Sequence, residues 1–179
     1  MLVGVVSDTH GNLDGLRRVA ARFKSRGIHT VVHLGDDYLD LAILEQAGFQ
    51  MLAVPGVYCP EYTDPAIPNR VLVELAGVKL FLTHTPTRHR LDAPGDPDPE
   101  ALESPVHLVL FGHTHVPTVD LRHGTIWLNP GHLKERNDRG HPPTFAVLEL
   151  FPDAVRLEIL HLEDGSRLLA GEYPLPPQT

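Results

Sequence analysis

The first 54 residues alternate apolar runs of strand length with amphipathic helical segments, and this order limits the possible folds more than any other feature. Leu2–Val6 is a continuous apolar run, which is typical of a strand buried on both faces. After it, Asn12 can cap a helix whose apolar residues follow helical spacing. Further strands are predicted over residues 30–34 and 50–54, with a short helix over 39–47 between them. This β-α-β-α-β order predicts a largely parallel sheet with helical cover.

The rest of the chain predicts a second run of mostly antiparallel strands and two long irregular segments. Residues 55–69 form a proline-rich loop, and a loop of that length inside a compact domain is usually functional or disordered. Residues 86–105 are rich in proline and charge and are expected to form an exposed excursion over the rim of the sheet. The predicted strands cover residues 70–75, 78–83, 106–111, 118–121, 125–128, 145–150 and 155–160. Two sheets packed face to face with helices outside are therefore expected.

Composition sets the broad class of the protein. A chain of 179 residues with 42% hydrophobic residues suits a single domain over residues 1–179, with a loose tail from about Glu163. The net charge of −8 argues against general nucleic-acid binding, which needs a basic face. The single cysteine excludes an intrachain disulfide and fits a reducing compartment. Without a basic leader or an apolar run of membrane-spanning length, the chain is expected to be cytoplasmic and to have no membrane partner.

Aspartate and histidine follow four of the apolar runs, at the point where each predicted strand ends. In chain order these residues are Asp8, His10, Asp36, His84, His113 and His115. Open α/β sheets place their ligand sites at the carboxyl ends of the strands. Residues two apart in an extended chain point to the same side, so each D-x-H or H-x-H pair can face one point in space. Gly35 and Gly112 permit the close backbone approach that a crowded site needs.

These side chains are metal-ligating types, and their number indicates two ions. Imidazole and carboxylate ligands without thiolate favour Mn, Fe, Ni or Zn. Six ligands leave no open position on a single catalytic ion, but they suit two ions about 3.5–4 Å apart that share a carboxylate. The alternative is a set of satisfied polar residues at strand ends that bind no metal. Four such placements after four strands argue against that alternative.

The D-x-H, G-D, isolated His and G-H-x-H segments together resemble the calcineurin-like metallophosphoesterases, and most closely the small prokaryotic phosphodiesterases of about this length. NPGH at residues 129–132 lies where that group has NPGS. The resemblance spans residues 3 to about 150 and implies an α/β fold of two packed mixed β-sheets flanked by helices, a four-layer sandwich. It also implies a ligand set for two ions: Asp8, His10 and His115 for one, His84 and His113 for the other, and Asp36 as the bridge.

The activity implied is that of a metal-dependent phosphoesterase, with a phosphodiesterase favoured over a phosphomonoesterase. Two divalent ions, with Mn favoured, lower the pKa of a bridging water, so the catalytic group is a metal-bridging hydroxide that attacks phosphorus in line. Asn12 either contacts the phosphate or only caps its helix. Asp37 either orients a metal ligand or is merely solvated. Residues 88–90 either contact a leaving group or form a solvated charge cluster.

One segment departs from the family pattern. After the third strand the family has G-N-H-E or G-N-C-D, and its Asn binds the second ion, whereas this chain has Val57 at the Asn position. Tyr58 occupies the place where larger members carry a proton-donating His. Cys59 and Glu61 are the substitute ligands considered, with water as the alternative. A thiolate from Cys59 would favour Zn or Fe, whereas the carboxylate of Glu61 would leave Mn competitive.

This departure keeps two other functions open. The first is a non-catalytic scaffold or binding protein, because the retromer subunit of this fold resembles a phosphoesterase with a decayed site. Decay should remove several ligands, however, and six remain. The second is a DNA nuclease, which the acidic net charge disfavours. The partner expected is a small phosphoester substrate, with a homodimer as an open alternative.

Overall fold

The computed structural model describes residues 1–176, which form two β-sheets, two α-helices and two short 3-10 helices, Tyr38–Asp40 and Pro60–Thr63. In chain order the main elements are β1 (Leu2–Val6), α1 (Leu13–Ser25), β2 (Thr30–His33), α2 (Leu41–Gln46), β3 (Gln50–Ala53), β4 (Arg70–Leu75), β5 (Val78–Thr83), β6 (Leu108–Leu110), β7 (Thr118–Arg122), β8 (Thr125–Asn129), β9 (Thr144–Phe151), β10 (Ala154–His161) and β11 (Arg167–Pro174).

Both sheets are mixed. The first has six strands in the order β11-β10-β9-β1-β2-β3, in which β1, β2 and β3 are parallel and β9 runs antiparallel to β1. The second has five strands in the order β4-β5-β6-β8-β7. Because β6 pairs in parallel with both β5 and β8, this sheet is less antiparallel than the sequence predicted.

The core between the sheets is built from alternate residues of facing strands. Val3 and Val5 of β1 belong to one fully buried cluster with Leu80 and Leu82 of β5. The intervening residues of β1, β2 and β9 point outwards and pack against the apolar face of α1. Burial of each Val, Leu or Phe side chain stabilises the fold by about 1.5–3 kcal/mol. The helix predicted after Asn12 is therefore confirmed, and it covers the outer face of the first sheet.

The outer face of the second sheet is covered by an irregular segment. Phe81, Val109 and Trp127 on this face pack with Val106 and Leu102, which belong to the proline-rich stretch before β6. Proline removes the N–H donors that a helix needs, which explains the irregular cover. The predicted α/β sandwich of two mixed sheets is confirmed, with this segment as its fourth layer. Neither helix within residues 1–176 has the length and apolar character of a membrane span.

The expectation of a loose tail from Glu163 is wrong as far as residue 176. Arg167–Pro174 forms β11, which pairs antiparallel with β10, with one irregularity at Ile159 and Leu160, and forms the edge of the first sheet. Most side chains of β11 are exposed, including Leu168 and Leu169. The strand therefore lacks the apolar alternation that identifies the other strands in the sequence.

The carboxyl ends of β1, β2, β5 and β6 meet at one edge of the sandwich. Backbone hydrogen bonds join these ends: Asp8 N donates to Gly35 O at 3.0 Å, and Gly112 N donates to His84 O at 2.9 Å. His84 Nδ1 lies 2.7 Å from Leu34 O, which links the second sheet to the first. The Asp and His residues that follow these four strands in the sequence therefore lie together at this edge.

Candidate metal centre

The residues at this edge have an unusual backbone conformation. Asp8, His10, Asp36, His113 and His115 all have positive φ angles, between 47° and 64°. This left-handed region is uncommon for residues other than glycine and costs on the order of 1–3 kcal/mol each. Asp and His adopt this region more often than other non-glycine residues, but it is uncommon even for them, so five such residues at one edge indicate that the surrounding fold holds them there. Each turn bends the chain sharply after its strand and directs the side chain into the shared edge.

Four of the side chains form a first cluster, which consists of Asp8, His10, Asp36 and His115. His10 Nε2 lies 3.0 Å from His115 Nε2 and 3.1 Å from Asp36 Oδ2. His115 Nε2 lies 3.2 Å from Asp8 Oδ1. One ligating atom from each of the four lies within 4.8 Å of all the others. Such a set is compact enough to surround one ion.

Asp36, His84 and His113 form a second cluster beside it. His84 Nε2 lies 3.2 Å from His113 Nδ1 and 3.5 Å from Asp36 Oδ1. Asp36 thus directs one carboxylate oxygen towards each cluster. His84 is 1% exposed, so its ring is closed off from solvent. All six residues predicted from the strand ends are therefore brought together.

Two of the histidines are oriented by hydrogen bonds on the side of the ring away from the clusters. His115 Nδ1 lies 2.5 Å from Asp138 Oδ2, which also accepts from Lys134 Nζ at 2.5 Å. His84 Nδ1 faces Leu34 O. With Nδ1–H donated outwards, each neutral ring presents the lone pair of Nε2 to its cluster. Hydrogen bonds of this kind are typical of metal-ligating histidines.

Sequence reasoning missed Asp138 and Lys134 as parts of this site. The signal that could have found them is NPGH, which directly precedes their loop. His132 of that segment is buried, and its ring centroid lies 5.7 Å from that of His115. The segment therefore carries the loop of Asp138 to the back of the first cluster.

The atoms that converge in the two clusters fit a cation. Asp8 Oδ1 is buried and has no hydrogen-bond partner within residues 1–176. Burial works to raise the pKa of Asp8, but the neighbouring rings of His115 and His84 and the hydrogen bond from Ser7 lower it to about 2, so the carboxylate is ionised. Burial raises the pKa of Asp36 to about 6, against the opposing effect of His84. A divalent ion would satisfy the free oxygen of Asp8 and favour the ionised form of Asp36.

The two predicted glycines are required by close packing. A side chain at Gly112 would overlap Ser7 Oγ and Asp8 Oδ2, and one at Gly35 would overlap the ring of His84. Gly35 also has a φ of 101°, which an L-residue rarely adopts. The close approach expected from the sequence is confirmed at both positions.

Asn12 and Asp37 support the loop after β1. Asn12 Oδ1 accepts from Gly15 N at 2.9 Å and caps α1, while its Nδ2 donates to Leu133 O at 2.7 Å. The capping interpretation is confirmed. Because Nδ2 carries a second N–H beside the one donated to Leu133 O, the phosphate contact weighed for Asn12 stays a prediction. Asp37 Oδ2 accepts from Gly11 N at 2.8 Å and so orients the loop that carries His10.

The segment that departs from the family pattern borders the second cluster. Val57 is buried, whereas Tyr58 is 70% exposed. Cys59 is half-buried and precedes the 3-10 helix Pro60–Thr63, in which Glu61 lies. Within residues 1–176, the compact group of metal-ligating side chains includes neither Cys59 nor Glu61. Their role as substitute ligands stays a prediction.

Comparison with known proteins agrees with this geometry. The family model of the calcineurin-like phosphoesterase superfamily domain matches residues 1–152. A phosphodiesterase of Methanocaldococcus jannaschii is 25% identical over 146 residues, which cover 73% of this chain and 83% of the relative. The E. coli phosphoesterase Yfce has a similar structure, with a TM-score of 0.69, 24% identity and coverage of 96% of this chain and 98% of its own. Vps29 of Entamoeba histolytica, solved in complex with zinc, has a TM-score of 0.67, 22% identity and coverage of 97% and 99%.

Proposed function

This chain belongs to the calcineurin-like phosphoesterase superfamily, and we propose that it is a metal-dependent hydrolase that acts on phosphodiesters. The observation that carries the proposal is the convergence of ligating atoms from Asp8, His10, Asp36 and His115 within 4.8 Å of one another. These carboxylate oxygens and imidazole nitrogens are the atom types that bind divalent ions, and they converge on one point from the loops after three separate strands, β1, β2 and β6. The preference for diesters is supported by the similarity to a protein named as a phosphodiesterase.

The first cluster would hold one divalent ion and the second cluster another, with Asp36 shared. The distances from Asp36 to His10 and to His84 support this sharing, because each carboxylate oxygen faces a different histidine. The oxygen and nitrogen ligands, without thiolate, favour Mn among the candidate ions, with Fe, Ni and Zn as alternatives.

The protein contributes orientation and exclusion of water to the reaction. When bound, two divalent ions supply positive charge to the phosphate oxygens and activate a water molecule for in-line attack on phosphorus. Asp138 and the Leu34 carbonyl hold the rings of His115 and His84 so that their Nε2 atoms act as acceptors. Asp8 and His84 close the inner side of the site by burial. The exposed His10 and half-buried His113 leave the opposite side open to a substrate.

The proposal is tested with metal-stripped protein reconstituted with Mn, assayed on bis(p-nitrophenyl) phosphate and on p-nitrophenyl phosphate. We expect turnover of the diester that depends on Mn and is lost in Asp8→Asn. Asp14→Asn is the matched control, because the side chain of Asp14 on α1 is 91% exposed. Full turnover by the metal-stripped protein, or by Asp8→Asn, would contradict the proposal.

A non-catalytic binding protein is the second candidate. The observations that favour it are Val57 in place of the family Asn and the structural similarity to Vps29, which has been solved with zinc. The six ligand side chains argue against it, because a site released from catalysis has no reason to keep them. Stoichiometric metal binding without turnover of any phosphoester in a broad panel would favour this candidate.

A further inference from the structure

A row of aromatic rings leads outwards from the second cluster. The ring centroids of His84 and His113 are 5.0 Å apart, those of His113 and His89 are 6.2 Å apart, and those of His89 and Tyr58 are 6.1 Å apart. All three pairs meet edge to face. Burial decreases along the row, from His84 in the interior to Tyr58 with 70% of its surface exposed. Tyr58 and His89 therefore form an aromatic rim at the open side of the site.

His89 is held in place by its own turn. Its backbone N donates to Asp92 Oδ2 at 2.8 Å, and its Nδ1 accepts from Leu91 N at 3.3 Å. A neutral imidazole that accepts at Nδ1 carries its proton on Nε2 and can donate from there. The ring is thus fixed against His113 rather than free on an exposed loop.

A buried ion pair anchors this turn to the core. Arg70, whose side chain is 0% exposed, lies 2.8 Å from Asp92 through Nη2. Its guanidinium also donates to Thr83 Oγ1 and to the carbonyl oxygen of Pro97. Tyr62 OH donates to Asp92 Oδ1 at 2.5 Å, which ties the loop of Tyr58 to the loop of His89. Burying the charge of an arginine carries a large desolvation penalty. Such an anchor therefore indicates that the position of this loop matters for more than covering the surface.

We propose that the aromatic rim of Tyr58 and His89 determines specificity by stacking on a planar aromatic substituent of the phosphoester, such as an aryl group or a nucleobase. This inference rests on the proposed function, since the phosphate must bind at the two clusters for its substituent to reach the rim. An exposed aromatic face is suited to this task because stacking on any planar ring is favourable and tolerates different ring structures. A substituent without a ring would leave Tyr58 in water.

The test measures binding of non-hydrolysable phosphonates to the Mn-loaded protein by calorimetry. Phenylphosphonate and methylphosphonate present the same acidic group and differ in the ring. We expect the wild type to bind phenylphosphonate roughly threefold to tenfold more tightly, the range of one aromatic pair. Tyr58→Ala should remove this preference, His89→Ala should reduce it, and Tyr58→Phe should keep it because the ring is retained. Leu39→Ala is the control for loss of an exposed apolar side chain, since Leu39 is 80% exposed.

A thymidine 5′-phosphonate distinguishes the two kinds of ring. Tighter binding of this ligand than of methylphosphonate, lost in Tyr58→Ala, assigns the rim to nucleobases, whereas a gain for phenylphosphonate alone assigns it to aryl groups. Equal affinity for all three phosphonates in the wild type, or an unchanged preference in Tyr58→Ala, would refute the role of the rim in specificity and leave the proposed function intact. If no phosphonate binds Mn-loaded protein that still hydrolyses bis(p-nitrophenyl) phosphate, the role of the rim is refuted and the proposed function stands. If neither binding nor turnover is seen, the proposed function fails and the role of the rim fails with it.

Discussion

The first and second clusters share Asp36 but differ in what surrounds them. The first has two carboxylates, and His115 is backed by the carboxylate of Asp138. The second has one shared carboxylate and two histidines, and His84 is backed by a neutral carbonyl. Beside the second cluster, the buried Val57 offers no ligand atom. More negative charge and stronger backing should make the first cluster the tighter site.

The difference in surroundings predicts different occupancies for the two proposed metal sites. A tight first site would stay occupied, while a weaker second site has room for solvent or a substrate oxygen to complete its coordination. We therefore expect the two ions to bind with different affinities. The following predictions are ordered by the size of their expected effect on metal binding and turnover.

Asp36→Ala should weaken metal binding at both clusters and so remove the difference in affinity between them. Asp36 is the carboxylate that faces histidines of both clusters, so we expect loss of at least one ion and a fall in kcat/KM of more than about 100-fold, as losing even an outer partner of a ligand costs 10–100-fold. Metal content by mass spectrometry and diester turnover are the measurements. Asp120→Asn, an exposed carboxylate paired with Arg122, is the control. Full activity in Asp36→Ala would refute the shared role.

His115→Ala and His113→Ala should distinguish metal binding at the first cluster from metal binding at the second. Each variant is expected to lose a different metal equivalent and to keep its fold, because both residues lie in a turn after β6 and contribute little to the core. Metal titration and circular dichroism measure the two effects. If either variant lost both ions equally, the two clusters would act as a single site.

Asp138→Asn should weaken only the first cluster. Without the charge that orients His115, the affinity of that site for Mn should fall about 10- to 100-fold, while the second site keeps its affinity. Calorimetric titration of the metal-stripped variant resolves the two sites. An equal loss at both sites would show that Asp138 acts on the whole fold instead of on His115.

Val57→Asn should reduce the difference in metal affinity between the two clusters by strengthening the second one. An added amide oxygen is expected to raise the affinity of the second ion about tenfold. In the metal-free state the same buried amide should cost about 1–3 kcal/mol of stability, because it lacks a partner. Cys59→Ser and Glu61→Gln are the companion variants. A fall in second-site affinity in Cys59→Ser would identify the thiolate as the substitute ligand, and a fall in Glu61→Gln would identify the carboxylate.

The smallest effect on metal binding is expected from Asp92, which anchors the rim beside the second cluster. Burial works to raise the pKa of Asp92, but the hydrogen bonds from Tyr62 and His89 N and the charge of Arg70 lower it below its ordinary value. A carboxylate with a depressed pKa stabilises the fold above its unfolded pKa of about 3.9, and this contribution is lost as the pH falls towards the folded pKa.

Urea unfolding should therefore show Asp92→Asn about 2 kcal/mol less stable than the wild type at pH 6, and the gap should shrink as the pH falls below about 4. Metal affinity should change less than twofold. A gap that is constant from pH 6 to pH 3 would mean that ionised Asp92 does not stabilise the fold.

Much of the fold and the six central site residues can be predicted from the sequence. Apolar runs and helical spacing are local patterns, so β1, α1 and β2 lie close to their predicted bounds. The residue pattern alone links Asp8 to His115, because the carboxyl ends of parallel strands meet at one edge of a sheet. The strand β11 escapes such prediction, since its side chains are mostly exposed and its pairing with β10 is made by the backbone.

The sequence by itself determined which chemical groups stand at the strand ends, because strand length and residue type are written locally in the chain. Only the tertiary structure decided how those groups are backed. Asp138 contacts His115, which lies 23 residues away in the chain, and Arg70 likewise contacts the distant Asp92. No short sequence pattern predicts either contact. The left-handed turns at Asp8 and His113 are likewise held by hydrogen bonds to distant residues, Asp8 N to Gly35 O and His113 N to Asp8 Oδ2, because that conformation is uncommon even for Asp and His. Long-range contacts and strained backbone conformations depend on the whole fold, so short sequence patterns do not predict them.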